Sequence, residues 1–147
     1  MSDRGLYLLI LRLEKGQAIK IGRFKETYFK AGYYFYVGRA RRGLRARIER
    51  HLRVEKKTFW HIDYFARYAR IYEVLVKPEA FDECETVRKL RQLINDSTFP
   101  LLGFGASDCC CCGHLLSLPP ETDLSNLIEI LGSRMGFQVR GEFRASH

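Results

Sequence analysis

The stretch GYYFYVGRARRGLRARIERH, residues 32–51, reads as a strand, a glycine turn and a basic helix in direct succession. Its first seven residues have the aromatic and β-branched content that strands favour, so we predict a strand from Gly32 to Gly38. A helix is predicted from about Arg42 to Arg53, because apolar residues recur at every fourth position. These apolar residues are Leu44, Ile48 and Leu52.

Upstream of this stretch, GLYLLILRL at residues 5–13 is apolar on both of its alternating faces. This pattern is typical of a central strand that is covered on both sides. A further extended segment, AIKIG at residues 18–22, follows a turn at Lys15 and Gly16. The short links between these segments favour antiparallel pairing.

Downstream, RIYEVLVKP at residues 70–78 alternates as a strand does, whereas FWHIDYF at 59–65 has no clear assignment. We predict a second helix that starts at Pro78, with apolar positions on one side, then an edge strand in HLLSL at 114–118. Those helix positions are Cys84, Val87, Leu90 and Ile94. A terminal helix is predicted to begin near Asp123, with Leu124, Leu127, Ile128 and Leu131 pointing inward.

The expected fold class is therefore α/β of the α+β kind: a small, mainly antiparallel central sheet flanked by helices. A chain of 147 residues with 46% hydrophobic residues suits one domain, residues 1–147. No run of about 18 apolar residues occurs, so we expect no membrane contact and a cytoplasmic location. The five cysteines include four adjacent ones, which fits a reducing compartment better than a disulfide framework.

Positive charge is concentrated on the predicted basic helix and its flanks. Residues 39–57 contain nine basic and two acidic side chains, a balance of +7 out of a net charge of +8 for the whole chain. A focused basic patch suits a polyanion such as a nucleic-acid backbone, because phosphate contacts release counterions. A solvated helix face explains the charge equally well. The charge alone does not choose between these two interpretations.

The order of the motifs resembles the GIY-YIG nuclease superfamily. GLY at residues 5–7 corresponds to the GIY triplet of the family, and YVG at 36–38 corresponds to YIG. A basic helix and an acidic residue on a later helix follow in the family's order. The resemblance covers roughly residues 5–94. It implies a three-stranded antiparallel core flanked by helices.

The chain resembles one branch of that superfamily, the DUF123 family, over nearly its whole length. The two tyrosines are farther apart than is usual in the superfamily, which predicts an insertion or an extra strand pair in AIKIGRFKETYFKAG, residues 18–32. The motifs that carry the resemblance to DUF123 are IG at 21–22, GYYFYVG at 32–38, RHL at 50–52, WHIDY at 60–64, ECE at 83–85 and FGASDCCCCGHL at 104–115.

The resemblance implies roles for particular side chains. Arg47 stands where the superfamily keeps its helix arginine, and a guanidinium offers paired donors to the charge that builds on phosphate oxygens. Tyr7 and Tyr36 match the paired tyrosines, one of which activates or positions the attacking water. A free phenol has a pKa near 10, so phenolate formation requires positive charge from Arg39, Arg47 or a metal.

Two histidines are further catalytic candidates. His51 lies one helical turn after Arg47, and His61 lies beside Asp63 in the aromatic WHIDY motif. Each could shuttle protons or contact phosphate, and each could equally be a hydrogen-bonded packing residue. The arginines predicted to bind nucleic acid are Arg39, Arg41, Arg42, Arg45 and Arg50.

Two carboxylates compete as the ligand of one Mg²⁺ or Mn²⁺ ion. Glu83 is predicted to lie on the inward side of its helix, whereas Glu85 shares a face with Lys89 and Gln92. We therefore choose Glu83, with Glu85 as the alternate. One carboxylate with a substrate phosphate is a reasonable site for a hard cation.

The cysteine run allows a different metal site. Cys109, Cys112 and His114 are a possible zinc trio, with Cys84 as a distant fourth ligand. The second close pair typical of structural zinc is missing, and strand alternation explains most of the run as small buried side chains. Zinc is the less favoured prediction.

The expected function is cleavage of nucleic-acid phosphodiester bonds by a divalent-metal-dependent endonuclease, with DNA favoured over RNA as the partner. The alternative is a nucleic-acid-binding module on the same scaffold without catalysis. No separate targeting domain is evident, which suggests either low intrinsic specificity or a protein partner that brings the substrate.

Overall fold

The computed structural model describes residues 2–105 and 113–140, and its centre is a five-stranded antiparallel sheet. In chain order the strands are β1 (Gly5–Leu13), β2 (Gln17–Ile19), β3 (Thr27–Phe29), β4 (Gly32–Ala40), β5 (Arg70–Pro78), β6 (Leu115–Ser117) and β7 (Gln138–Val139). The helices are α1 (Leu44–Leu52), α2 (His61–Phe65), α3 (Glu83–Leu93) and α4 (Leu124–Met135). The sheet order is β6-β4-β1-β5-β7.

The predicted central position of β1 is confirmed. This strand pairs antiparallel with β4 on one side and with β5 on the other. Its alternate side chains enter two separate cores, with Leu9 packed on one face and Leu8 on the other, both fully buried. Burial on both faces explains why the strand is apolar at nearly every position.

The segment between β1 and β4 forms the extra strand pair that the sequence predicts. β2 and β3 pair antiparallel with each other in a separate two-stranded sheet, so the AIKIG segment does not join the main sheet. Ile19 and Phe29 are buried in the core on one side of β1. The β2–β3 pair therefore packs against the core outside the main sheet, and β4 pairs directly with β1.

Helix α1 follows the prediction except at its last apolar position. Leu44 and Ile48 are buried, but Leu52 is 38% exposed and His51 is 3% exposed. An α-helix turns about 100° per residue, so His51 lies about 20° from the direction of Leu44 and Leu52 about 80° away. The apolar stripe therefore continues through a histidine, which places an imidazole inside the core.

The second predicted helix exists, but it does not start at Pro78. Pro78 ends β5, and α3 begins at Glu83, where the side chain of Asp82 accepts a hydrogen bond from the backbone N–H of Glu85 at 2.9 Å. Capping by Asp82 satisfies an N–H that the first turn leaves without a partner. The start of α3 is consequently placed beside the end of β5.

The carboxy-terminal elements agree with the predictions where they are described. β6 is an edge strand beside β4, and Asp123 caps α4, which buries Leu124, Leu127 and Leu131. Ile128 is partly buried against the same core. The two-residue strand β7 was not predicted, because two residues carry no periodicity. In the described residues no helix is long and apolar enough to cross a membrane.

Candidate active site

A cleft of about 600 Å³ opens where β1, β4 and the helices α1, α2 and α3 come together. Six of the residues predicted from the sequence for a nuclease site line it, beside Cys84 and His114 of the zinc hypothesis. The six are Tyr7, Tyr36, Arg39, Arg47, His61 and Glu83. The fold thus brings residues that are up to 76 positions apart (7 to 83) to one concave surface. A volume of this size is typical of pockets that enclose small ligands.

The glycine of the YVG triplet makes room for the first tyrosine. Gly38 pairs with Tyr7 across β1 and β4. A Cβ atom at Gly38 would lie 2.3 Å from Cζ of Tyr7 and 2.4 Å from its phenol oxygen. The two triplets are therefore one structural unit, in which the phenol of Tyr7 occupies the space of the missing side chain.

We expect Gly38→Ala to lower the free energy of unfolding by about 1–3 kcal/mol, because the added methyl overpacks a buried ring. Chemical denaturation measures this change. Gly132→Ala in α4 is the matched control, since its Cβ would meet only the carbonyl oxygen of Phe137 at 3.4 Å. That helical substitution should be neutral or stabilising. Equal unfolding free energies for the parent and Gly38→Ala would contradict the packing described.

Tyr7 and His51 form a buried hydrogen-bonded pair. The phenol oxygen lies 2.8 Å from Nε2 of His51, and both side chains are almost wholly buried. The pKa of His51 is lowered to about 4, mainly by burial; the charge of Asp63 opposes this shift, and the charges of Arg50, Lys56 and Arg47 contribute to it. The imidazole is therefore neutral near pH 7, and Nε2 can accept the phenol proton.

This buried histidine predicts a pH dependence of stability. Between the ordinary His pKa of 6.5 and about 4, the unfolded chain binds a proton that folded His51 does not. The free energy of unfolding should fall on acidification through this window, by up to about 1.4 kcal/mol per pH unit from His51. His51→Gln should reduce the slope in denaturation series at several pH values. An unchanged slope would contradict the neutral, buried state.

Both phenols are protonated at neutral pH, which corrects the expectation that arginine charge favours phenolate. Burial raises the pKa of Tyr7, and Arg47 lowers it only in part through charge and a hydrogen bond. Burial also raises the pKa of Tyr36, and the charges of Tyr7, Glu83 and Asp63 add to the shift. Desolvation outweighs the nearby guanidinium, so neither tyrosine is a free phenolate in the protein alone.

Besides its hydrogen bond with Tyr7, Arg47 is held at the cleft by two further contacts. Its Nη1 donates to the backbone carbonyl of Arg39 at 3.0 Å, and its guanidinium carbon lies 4.7 Å from the centre of the Trp60 ring. The side chain is only half-buried. A guanidinium has five N–H donors, so the bond to Arg39 leaves others for an anion in the cleft.

Glu83 and Glu85 take up different positions on α3. Glu83 lines the cleft, with its Oε1 3.3 Å from Nε of Arg39 and its Oε2 3.6 Å from Nδ1 of His114. Glu85 forms an ion pair with Arg88 and lines a different pocket. Of these two glutamates, Glu83 is therefore the one whose carboxylate lies in the cleft.

The predicted phosphate-binding arginines occupy four kinds of position. Arg39 lies in the cleft, Arg41 and Arg42 are exposed in the turn before α1, and Arg45 is half-buried. Arg50 donates through two nitrogens to the buried carboxylate of Asp63, at 3.1 and 3.0 Å. A pair of this kind serves the fold, so Arg50 is a structural residue and not a phosphate ligand in our account.

His61 is oriented by a backbone contact. Its Nδ1 accepts a hydrogen bond from the backbone N–H of Gly105 at 2.7 Å, which leaves the proton on Nε2. Burial lowers its pKa, so the ring is neutral near pH 7. His61 therefore offers one N–H donor at the edge of the cleft.

The zinc hypothesis is only partly within the described residues, because Cys109 and Cys112 lie outside them. Cys84 is close to His114, with Sγ 3.9 Å from Nε2, although the two are 30 positions apart. Burial and the charge of Arg39 lower the pKa of His114. Among residues 2–105 and 113–140 no three His, Cys, Asp or Glu side chains form a metal-holding group.

Three aromatic side chains that were not predicted from the sequence as site residues also line the cleft. They are Phe59, Trp60 and Phe81. Phe59 and Trp60 belong to the aromatic stretch that had no clear assignment, and they lead into the short helix α2. An aromatic pair next to a basic helix was the available signal for the first two, whereas no pattern marked Phe81.

The family model described as "Domain of unknown function DUF123" matches residues 6–136. No curated protein and no solved structure matches the chain. The match spans the cleft and all the described strands and helices, except Gly5 at the start of β1 and the strand β7.

Proposed function

Since the chain belongs to the DUF123 family, we propose that it is a divalent-metal-dependent endonuclease of the GIY-YIG type. The observation that supports this most is the composition of one cleft, where Tyr7, Arg47 and Glu83 meet at the basic helix α1. A guanidinium, a hydrogen-bonded phenol and a carboxylate are the groups that phosphodiester hydrolysis needs side by side.

In this proposal the phosphate binds at Arg47, with Arg39 beside it. The free N–H groups of Arg47 donate to the non-bridging oxygens, where negative charge grows in the transition state. The contacts with Trp60 and with the Arg39 carbonyl hold the guanidinium before substrate arrives. Preorganised donors of this kind need no rearrangement at the moment of reaction.

The pair Tyr7 and His51 supplies a route for the proton of the attacking water. Tyr7 donates its own proton to the neutral Nε2 of His51, so its oxygen can accept a proton from water. The water oxygen forms the new bond to phosphorus as the leaving oxygen departs with the bonding electrons. The proposal thus requires no free phenolate, in agreement with the raised pKa of Tyr7.

Glu83 is the proposed ligand of one Mg²⁺ or Mn²⁺ ion. Its carboxylate faces the cleft, and a single carboxylate together with waters and substrate phosphate is a common way to bind such an ion. When bound, the ion supplies a positive charge that stabilises the phosphate oxygens. Arg39 already contacts one carboxylate oxygen, so binding of the ion should be weak without nucleic acid.

A cleavage screen tests the proposal. Purified protein is incubated with single-stranded, duplex, flap and junction substrates of DNA and RNA, with Mg²⁺ or Mn²⁺ and with EDTA. We expect cut products only with the divalent ion. Complete stability of all substrates, under conditions where the protein binds them, would contradict the proposed activity.

One observation favours a second candidate, a nucleic-acid-binding module without catalysis. The ion pair between Arg39 and Glu83 balances the carboxylate that would otherwise attract the metal. In that case binding should fall steeply with salt and need no divalent ion. The same screen separates the two functions, because only the nuclease yields products.

A further inference from the structure

Phe59 is an exposed aromatic ring at the edge of the cleft. Its side chain lies among the cleft-lining residues and is 76% exposed. By contrast, Tyr7 and Tyr36 inside the same cleft are almost fully buried. Single exposed apolar side chains are common on protein surfaces, so it is the position of Phe59 at the cleft, and not its exposure alone, that supports contact with a ligand.

The position of Phe59 is fixed although its ring is exposed. The buried carboxylate of Asp63 accepts hydrogen bonds from the backbone N–H groups of Phe59 and Trp60, each at 2.9 Å. The same carboxylate is held by Arg50. This network anchors the backbone and leaves one aromatic ring projecting at the cleft.

Among the described residues, two guanidinium groups lie over the ring of Trp60, and no such contact involves Phe59. The guanidinium carbons of Arg47 and Arg50 lie 4.7 and 4.4 Å from the centre of the Trp60 ring. Phe59 contacts Trp60 at 5.5 Å between ring centres, with the ring planes at 65°, and 76% of Phe59 remains exposed. An open aromatic face beside guanidinium groups is the combination that binds a nucleobase attached to a phosphate backbone.

Resting on the proposed function, we propose that Phe59 stacks on an unpaired nucleobase, so that the substrate is single-stranded or locally unpaired at the cleft. Bases inside a duplex have both faces covered by their neighbours and cannot offer one to Phe59. The cleft of about 600 Å³ is large enough for a single nucleotide unit. The ring therefore selects nucleic acid that has an accessible base near the bound phosphate.

The single tryptophan of the chain makes this measurable without a label. Trp60 fluorescence is titrated in EDTA with an oligothymidine of about 15 nucleotides and with a blunt duplex of two annealed strands of equal total phosphate number. For the single strand, Phe59→Ala and Phe59→Leu should raise Kd roughly 5- to 150-fold. Phe59→Tyr should bind as the parent does, because it keeps the ring.

The duplex arm and a distant control complete the test. Affinity for the fully paired duplex should change less than about twofold in every Phe59 variant, since phosphate contacts dominate there. Tyr28→Ala removes a 64% exposed ring on β3, away from the cleft-lining residues, and should change neither affinity.

Two results would overturn the inference. Unchanged binding of Phe59→Ala, or an equal loss for single strand and duplex, removes the stacking role while the proposed nuclease remains. An effect of Phe59→Ala that Phe59→Leu does not share indicates general apolar contact, which also excludes stacking. If the folded parent binds neither nucleic acid, the proposed function fails together with the inference.

Discussion

Glu83→Gln should lower the rate of divalent-dependent cleavage about a thousandfold, which corresponds to about 4 kcal/mol of lost transition-state stabilisation. The amide has nearly the shape of the carboxylate but not its charge, so it cannot bind the ion in the same way. Single-turnover cleavage with saturating protein measures the chemical step without interference from product release. The loss should be visible with both Mg²⁺ and Mn²⁺.

Glu85→Gln is the matched control for this substitution. Glu85 lies two positions away on α3, where it pairs with Arg88 outside the cleft. Its neutralisation should leave the cleavage rate within about twofold of the parent, since exposed ion pairs contribute little. Nucleic-acid binding in EDTA should survive in Glu83→Gln. If the two variants cleave equally well, Glu83 does not hold the ion.

Arg47→Ala should lower the single-turnover rate by about 10²- to 10³-fold, because one preorganised donor group to the transferring phosphate is lost. Arg47→Lys should recover little of this rate, since an ammonium cannot offer two parallel N–H groups. The guanidinium also contacts Trp60 and the Arg39 carbonyl, so the rates must be compared with thermal unfolding of each variant.

Arg53→Ala provides the comparison for Arg47. Arg53 is exposed at the carboxy-terminal cap of α1, so it has the same charge on the same helix without lining the cleft. Its loss should weaken nucleic-acid binding modestly and leave the chemical step unchanged. An equal loss of cleavage rate in both variants would mean that α1 contributes only general charge.

The fold was predictable where the residue pattern is long. β1, β4 and β5 each have nine residues, and their apolar or alternating patterns identified all three. The start of α3 was placed too early, because Pro78 fits a strand end as well as a helix start. The helix begins where the side chain of Asp82 caps it. This hydrogen bond cannot be predicted from the spacing of apolar residues.

The meeting of Tyr7, Arg47 and Glu83 in one cleft could be anticipated only through the resemblance to a family. Periodicity does place Glu83 and not Glu85 on the inward side of α3, as the structure does. The pairing of Tyr7 with His51 was not predicted. It depends on the burial of His51, which takes the place of an apolar residue on the buried side of α1. Burial also raises the pKa of Tyr7.

The role of Arg50 shows the limit of reading charge from sequence alone. The run of basic residues in and around α1 has the same composition whether its members bind phosphate or brace the fold. The structure distinguishes two of these arginines. Arg50 pairs with the buried carboxylate of Asp63, whereas Arg47 lines the cleft. A contact between residues 13 positions apart on different helices decides which arginine is available.

The most direct measurement for the whole account replaces one non-bridging oxygen of the scissile phosphate by sulfur and follows cleavage with each metal ion. If the phosphate lies beside an ion held by Glu83, one phosphorothioate isomer should lose Mg²⁺-supported cleavage and regain it with the softer Mn²⁺. Glu83→Gln should abolish that rescue. Equal cleavage of the oxygen and sulfur substrates with both ions, or rescue that persists in Glu83→Gln, would contradict the account.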